Sequence, residues 1–446
     1  DAGSNRLGWE ERVRVVNAGF FGQALFSLKD RYFLTGGLRV DGNSAFGEDL
    51  GLQAYPKVSG SYVISDEEFW SGALGTMKLR AAYGQSGRAP GTFDAVRTWL
   101  PSGYGGQPSY LPENLGNPVL GPERTAEIEV GLDWALLSNR VTTEFTWYRQ
   151  RTTDALFNVR KAPSEGFALF QQENVGKIQN QGIEFNINAA LIDLPRWGFD
   201  LGFNVYTNDS EVLDLGGAPP FAAGGTSSWV ETGYPVPVLR GAVVRNGDRK
   251  EAPVNCASTS YVEGTACFEL DVPMGPPQPT LILGVAPQFR LPHGLQLSAR
   301  GEYQSGHYIY DGPSNEGINR AIRWPTCLDY YALTDAGRGD EATAERRYWC
   351  DSRYYQRGTM IRPADHFKLR DVTLQVPLGG LIPRSANSTL TVSAQNWYRW
   401  RNSDFPMFDP EMLENTGFSG AGQQNPQITE HIPPAAIFIA SVRVMF

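Results

Sequence analysis

Apolar and polar residues alternate along this chain in stretches of about ten residues, from one end to the other. That is the period of a β-strand with one oily and one wet face. Residues 126–134 are representative: Ala126, Ile128, Val130, Leu132 and Trp134 share one face, while Glu127, Glu129 and Asp133 share the other. Val141, Thr143, Phe145 and Trp147 stand against Glu144, Thr146 and Tyr148 in the next stretch. Ile183, Phe185 and Ile187 then oppose Glu184, Asn186 and Asn188, and Phe199, Leu201, Phe203 and Val205 oppose Asp200 and Asn204. The pattern predicts about thirteen strands, near 13–28, 31–42, 53–64, 76–87, 122–136, 139–155, 172–190, 197–208, 278–291, 294–308, 364–378, 388–401 and 434–446. One strand changes phase: Phe367 and Leu369 share a face, but Val372, Leu374 and Val376 take the opposite parity, which predicts a β-bulge near Arg370-Asp371. A helical turn is expected over Asp66–Trp70.

The connections carry as much information as the strands. Tight turns such as Leu28-Lys29-Asp30-Arg31, Leu137-Ser138-Asn139 and Leu291-Pro292-His293-Gly294 alternate with long, aromatic-rich loops at 88–121, 156–171, 208–277, 309–363 and 402–430. A meander with short connections at one end and long ones at the other has the form of a transmembrane β-barrel. The expected fold class is therefore all-β: an antiparallel barrel with short periplasmic turns and long extracellular loops. A soluble β-sandwich shares the alternation, with its oily faces closed on each other. Against it stand strands longer than the usual five or six residues and the asymmetry of the loops.

Composition agrees with a barrel. No run of ~18 apolar residues exists to make a helical span, and a barrel strand needs only about 9–11 residues with one apolar face. The 11 Trp, 19 Tyr and 23 Phe suit aromatic girdles at two membrane interfaces. A formal charge of −9 argues against nucleic acid. The chain begins Asp1-Ala2-Gly3-Ser4 without Met, so for an exported class of protein a processed or partial polypeptide is expected.

Four cysteines fall as two local pairs, Cys256 with Cys267 and Cys327 with Cys350, each pair inside one long loop. Disulfides formed in an oxidising compartment are the expectation, with unpaired thiols as the alternative. No histidine lies close to the first pair and the spacing does not suit zinc.

The last strand sets Phe438, Ala440, Val442, Val444 and Phe446 on one face. A terminal Phe preceded by apolar residues at every second position is similar to the sorting signal read by the outer-membrane assembly machinery. If that strand ends in the periplasm, every short turn is periplasmic and every long loop extracellular.

Seven ordered segments then point to a family. They are Asp30-Arg31-Tyr32-Phe33-Leu34-Thr35; Arg39-Val40-Asp41-Gly42-Asn43-Ser44-Ala45-Phe46-Gly47; Met77–Gly87 (MKLRAAYGQSG); Asn117-Pro118 with Pro122-Glu123-Arg124-Thr125; Asn174–Glu184 (NVGKIQNQGIE); Phe367–Leu374 (FKLRDVTL); and Phe408-Asp409-Pro410-Glu411. Together they resemble the C-terminal half of a TonB-dependent outer-membrane receptor of the SusC/RagA type. The resemblance implies a barrel of 22 strands with a plugged lumen, of which residues 1–446 carry about thirteen C-terminal strands. The plug, the motif that engages TonB and the early strands are then expected from another polypeptide or a part not included here, since unpaired strand edges in lipid cost several kcal/mol per group. It also implies a SusD-like surface lipoprotein, energy from TonB through the plug, and import of oligosaccharides or oligopeptides across the bacterial outer membrane. A structural or binding subunit of a split barrel without active transport is the second reading, and a soluble β-rich binding module the third.

No catalytic constellation and no cofactor motif stand out, so no enzyme is expected. His293, His307, His366 and His431 are scattered near strand ends and loops. The carboxylates Glu127, Glu129, Asp133, Glu144, Glu184 and Asp200 are expected to line the lumen. Substrate-contact candidates are the loop aromatics Trp99, Tyr104, Trp229, Tyr310, Trp324, Trp349 and Tyr354, with Tyr110, Tyr234, Tyr308, Tyr330, Tyr331 and Tyr355 nearby. The alternative is that these rings pack the loops against one another. Asp409, Glu411 and Glu414 could bind a structural Ca²⁺ or be ordinary solvated carboxylates. Arg346, Arg347, Arg353 and Arg357 could face anionic lipopolysaccharide or a lipoprotein, or water.

Overall fold

The computed structural model describes residues 12–46, 51–160, 164, 170–224, 227–354, 360–379, 382, 387–405, 409–411, 414–415, 426–428 and 434–445. Thirteen strands form one antiparallel meander whose neighbours follow one another along the chain, and a fourteenth, Asp209–Asp214, pairs with Lys177–Gln181 beside it. The thirteen are β1 (Asn17–Leu28), β2 (Tyr32–Asn43), β3 (Gln53–Val63), β4 (Thr76–Arg88), β5 (Glu123–Leu136), β6 (Val141–Thr153), β7 (Lys177–Asp193), β8 (Gly198–Thr207), β9 (Leu281–Arg290), β10 (Gln296–Ser305), β11 (His366–Pro377), β12 (Asn387–Arg401) and β13 (Ile437–Met445). Each lies where the alternation of the sequence puts it, within a few residues.

The register makes the two faces continuous. One line of directly opposed residues runs Leu28, Tyr32, Tyr62, Leu79, Leu132, Phe145, Phe185, Val205, Leu283, Tyr303, Phe367, Trp400, apolar at every step. The opposite face reads Lys78, Asp133, Glu144, Asn186, Asn204, Gly284, Glu302, Lys368, Arg399. The apolar line leaves β1 beside its short turn and reaches β12 at its long-loop end. Strands tilted across a barrel wall produce that climb.

No second layer covers the apolar face: Val130 is 49% exposed, Val392 43% and Val442 57%. The buried apolar clusters lie in or against the long connections instead. The β-sandwich alternative therefore fails, because its oily faces would be closed.

The bulge falls where the phase change put it. Leu369 and Asp371 pair with consecutive residues Gly301 and Arg300 of β10, leaving Arg370 as the extra residue. The expected helical turn over Asp66–Trp70 is displaced: 3₁₀ turns form at Ile64–Asp66 and Gly72–Leu74, on either side of it. Between them the carboxylate of Glu67 accepts from Arg31 at 2.9 Å and from the Tyr32 hydroxyl, tying two short turns together.

The long connections are not structureless. Residues 98–114 form a hairpin, and a second pairs Leu156–Arg160 with Phe170–Asn174. A five-stranded sheet fills much of 221–275. Helices α1 (Gly312–Asn319), α2 (Leu328–Asp335) and α3 (Ala344–Cys350) occupy the next connection. A small sheet in which Tyr310 and Asp311 pair with Gln427 and Ile428 brings the last connection onto that helical lobe.

Candidate functional site

All long connections leave the sheet at one end, so loop lobe, rim and inner wall form the candidate site. The lobe is built on its disulfides. Cys327 joins Cys350 with Cα atoms 5.5 Å apart, and Cys256 joins Cys267 at 5.0 Å. Around the first bond Ile318, Tyr330, Tyr348, Trp349 and Met360 are buried, with Tyr310, Trp324, Tyr331 and Tyr354 packed against them.

This packing sorts the aromatic candidates. Trp349, 9% exposed, and its neighbours Trp324, Tyr310 and Tyr354 hold the lobe together. Trp324 donates its indole N–H to the Ser314 hydroxyl at 2.8 Å. Trp229 lies under the Arg240 guanidinium, 4.5 Å from its ring centre, and Arg240 is bonded to Glu231. Trp99, Tyr104 and Tyr110 differ: they project from the 98–114 hairpin at 52%, 84% and 70% exposure. Of the expected surface arginines, Arg346 is paired with Asp329 and Arg353 with Asp351. Tyr355, Arg357, Phe446 and the side chain of Glu414 lie outside the described residues. Phe438, Val442 and Val444 stand on the apolar face of β13, opposite Ala394, Leu390 and Ser388.

At the rim two members of the acidic cluster, Asp409 and Glu411, are neither solvated carboxylates nor open oxygens. The Asp409 carboxylate lies 2.5 Å from Lys368 Nζ and 3.5 Å from Arg399, and Asp409 and Lys368 side chains are only 4% and 6% exposed. Glu411 accepts from Lys368 at 2.5 Å and from both ends of the Arg370 fork. Its Oε1 lies 3.3 Å from His366 Nε2. Burial works against the ionised Glu411, but its bonds to His366, Arg370 and Lys368 hold the carboxyl well below the usual carboxylate range. Cations from β11 and β12 therefore occupy the oxygens a metal would need, and among the described residues no group of three or more His, Cys, Asp or Glu is arranged to hold one. The cluster fastens the last connection to the inner wall.

His307 and His366 stack edge-on beneath this clasp, with ring centres 5.9 Å apart, and are 3% and 2% exposed. Burial, then the neighbouring His366, pushes the His307 pKa down to about 4. The sequence reading missed Lys368, Arg370 and Arg399. The alternation of cations at Lys368 and Arg370, matched by carboxylates at Asp409 and Glu411, was the signal that could have found them.

Lower on the wall, Glu127, Glu129 and Glu184 open with Tyr148 and Tyr206 onto a recess of 320 Å³. These wet-face carboxylates line the polar side, as expected. A 440 Å³ cavity lies in the loop lobe, bordered by Asp311, Glu345, Trp349, Arg362, Ser403 and Asp404. Arg362 rests on Trp349, its guanidinium 4.5 Å from the ring centre. Burial draws its pKa down from the ordinary guanidinium value, and the carboxylates of Asp311, Asp404 and Glu345 oppose that shift. Asp311 caps α1, accepting from the Ser314 amide at 3.1 Å. Burial raises its carboxyl pKa against that bond.

Comparison with known proteins matches residues 2–268 to the TonB dependent receptor-like β-barrel family. TonB-dependent receptor P26 of Formosa agariphila is 28% identical over 91% of this chain and 43% of that protein. TonB-dependent receptor SusC of Bacteroides thetaiotaomicron is 29% identical over 46% of this chain and 22% of its own length. Among solved structures, a chain of the RagAB peptide importer in its closed-closed state superposes with a TM-score of 0.75. It covers 96% of this chain and 47% of that one, at 17% identity, which speaks for fold alone. The chain spans less than half the length of these relatives.

Proposed function

The chain belongs to the TonB-dependent receptor β-barrel family, and on that premise we propose that it is the C-terminal share of an outer-membrane importer of oligosaccharides or oligopeptides. The supporting observation is the wall itself, apolar on one face and charged on the other, with a disulfide-braced lobe at a single end. The apolar face meets outer-membrane lipid, and the lobe faces outward and captures cargo. The remaining strands and a plug come from the rest of the receptor, and TonB acts through that plug. A SusD-like lipoprotein covers the lobe, in keeping with the similarity to SusC and RagAB. No catalytic role and no cofactor are part of this reading.

The experiment is deletion of the complete receptor in its host, followed by uptake of labelled oligosaccharides and oligopeptides. Loss of uptake of one class, restored by the intact gene and not by one lacking the TonB-engaging motif, is the expected result. Unchanged uptake of both classes would overturn the importer and leave a scaffolding subunit.

A further inference from the structure

We propose that the 440 Å³ cavity of the loop lobe is a binding subsite for one neutral, polyhydroxylated unit of the cargo, a sugar ring. This deepens the importer reading and rests on it. The volume sits in the lower part of the roughly 300–1,000 Å³ range of small-molecule sites.

The chemistry of the walls selects the ligand. The Arg362 guanidinium lies over the Trp349 ring, and among the described residues its side chain makes one hydrogen bond, from Nη2 to the Met360 sulfur at 3.5 Å. Among the described residues no carboxylate comes within 4.0 Å of it, although Asp311, Asp404 and Glu345 act on it through space. Arg346, the other cation on the border, is already held by Asp329 and by the Thr326 carbonyl. The cavity thus presents a guanidinium with no carboxylate partner among the described residues, the carboxylates of Glu345 and Asp404, and Asp311, which already accepts from the Ser314 amide.

An anionic unit in the cavity meets the carboxylates that share its lining with the fork. A cationic unit there meets the guanidinium. A hydroxyl donates and accepts at once, so neighbouring hydroxyls bridge guanidinium and carboxylate without carrying charge. Ser403 at the mouth adds a further group of the same kind. A planar guanidinium stacked on an indole is also preorganised, which lowers the ordering cost of binding.

The test uses the full receptor with its plug and partner lipoprotein. Hexasaccharides of matched length are titrated by calorimetry: a panel of neutral glucans and mannans, a galacturonan and a chitosan, with hexapeptides alongside. At least one neutral oligosaccharide is expected to bind more tightly than the charged ones, and Arg362→Met to weaken it roughly tenfold or more. Asp404→Asn, on the exposed margin, is expected to weaken it a few-fold and keeps the test valid should Arg362→Met disturb folding. Equal binding by native and both variant receptors, preference for the charged oligosaccharides, or binding of peptides alone would each overturn the subsite. In a receptor whose deletion abolishes uptake, these outcomes leave the importer standing.

Discussion

Asp409 shows how much one carboxylate can hold. It is buried against Lys368, with Arg399 beyond, so removing its charge leaves the buried ammonium to Glu411. Breaking a buried pair outright costs about 3–5 kcal/mol, and the retained Glu411 contact keeps the loss below that. Asp409→Asn is expected to release the last connection from the wall, seen as faster hydrogen exchange over 402–411 with the strands unchanged. His307 adds a pH dependence. A detached lobe binds a proton on this ring below about pH 6.5, the packed one not until about pH 4. Its contribution is therefore complete above pH 6.5 and is lost as pH falls toward 4, at up to ~1.4 kcal/mol per unit. Glu411, itself depressed, adds its own loss once pH falls through the ordinary carboxylate value of 4.5, and Asp365 and His366 are the other titratable neighbours. His307→Gln should flatten exchange rates at 402–411 between about pH 6.5 and 5; an unchanged profile would remove His307 from the account. The sequence showed the carboxylates at 409 and 411 but left them as solvated groups or ligands of a Ca²⁺. The cations came from a strand about forty residues earlier, and no local spacing encodes that meeting.

At the scale of the element, the strands were legible because lipid or solvent on one side and a wet interior on the other leave period-2 alternation undisturbed. The bulge was legible for the same reason: Arg370 is the residue whose removal restores regular parity. Deleting Arg370 keeps Phe367, Leu369, Val372 and Leu374 on the apolar face, so assembly is expected to survive, at the expense of the Glu411 anchor. Deleting Thr373 turns Leu374 and Val376 inward and should abolish it. Heat-modifiable mobility on gels reads both outcomes, and equal behaviour of the two deletions would refute the register. The elements inside the loops were not legible. The helices α1 to α3 are seven or eight residues each, too short to stand without their tertiary partners. The Cys327–Cys350 link encloses α2 and α3 in a loop worth about 3 kcal/mol by chain entropy, and α1 packs Ile318 against the same cluster. The double variant Cys327→Ser/Cys350→Ser should speed exchange over 312–354 and leave β5 to β8 protected.

The whole sheet ends at two edges. Among the described residues, β1 pairs only with β2 and β13 only with β12. An unpaired backbone group in hydrocarbon costs several kcal/mol, so neither edge can face lipid. β1 is unusual in a second way. Phe20, Phe26 and Leu28 lie on the apolar face, yet Phe21 and Leu25, on the side that is charged elsewhere, are 85% and 70% exposed. A strand oily on both sides reads as one covered on both: on the proposed importer reading, by lipid outside and by the plug within. Relatives about twice as long are consistent with a parent receptor that supplies them. Residues 1–446 refolded alone into detergent are expected to associate edge to edge and to give no discrete heat-modifiable monomer. Refolded with a polypeptide carrying the plug and remaining strands, they should yield one monodisperse barrel in which Phe21 and Leu25 become protected from a membrane-impermeant cysteine label after Phe21→Cys or Leu25→Cys. A stable monomeric barrel from residues 1–446 by themselves would mean that thirteen strands close without help, and the dependence on a larger receptor would have to be given up.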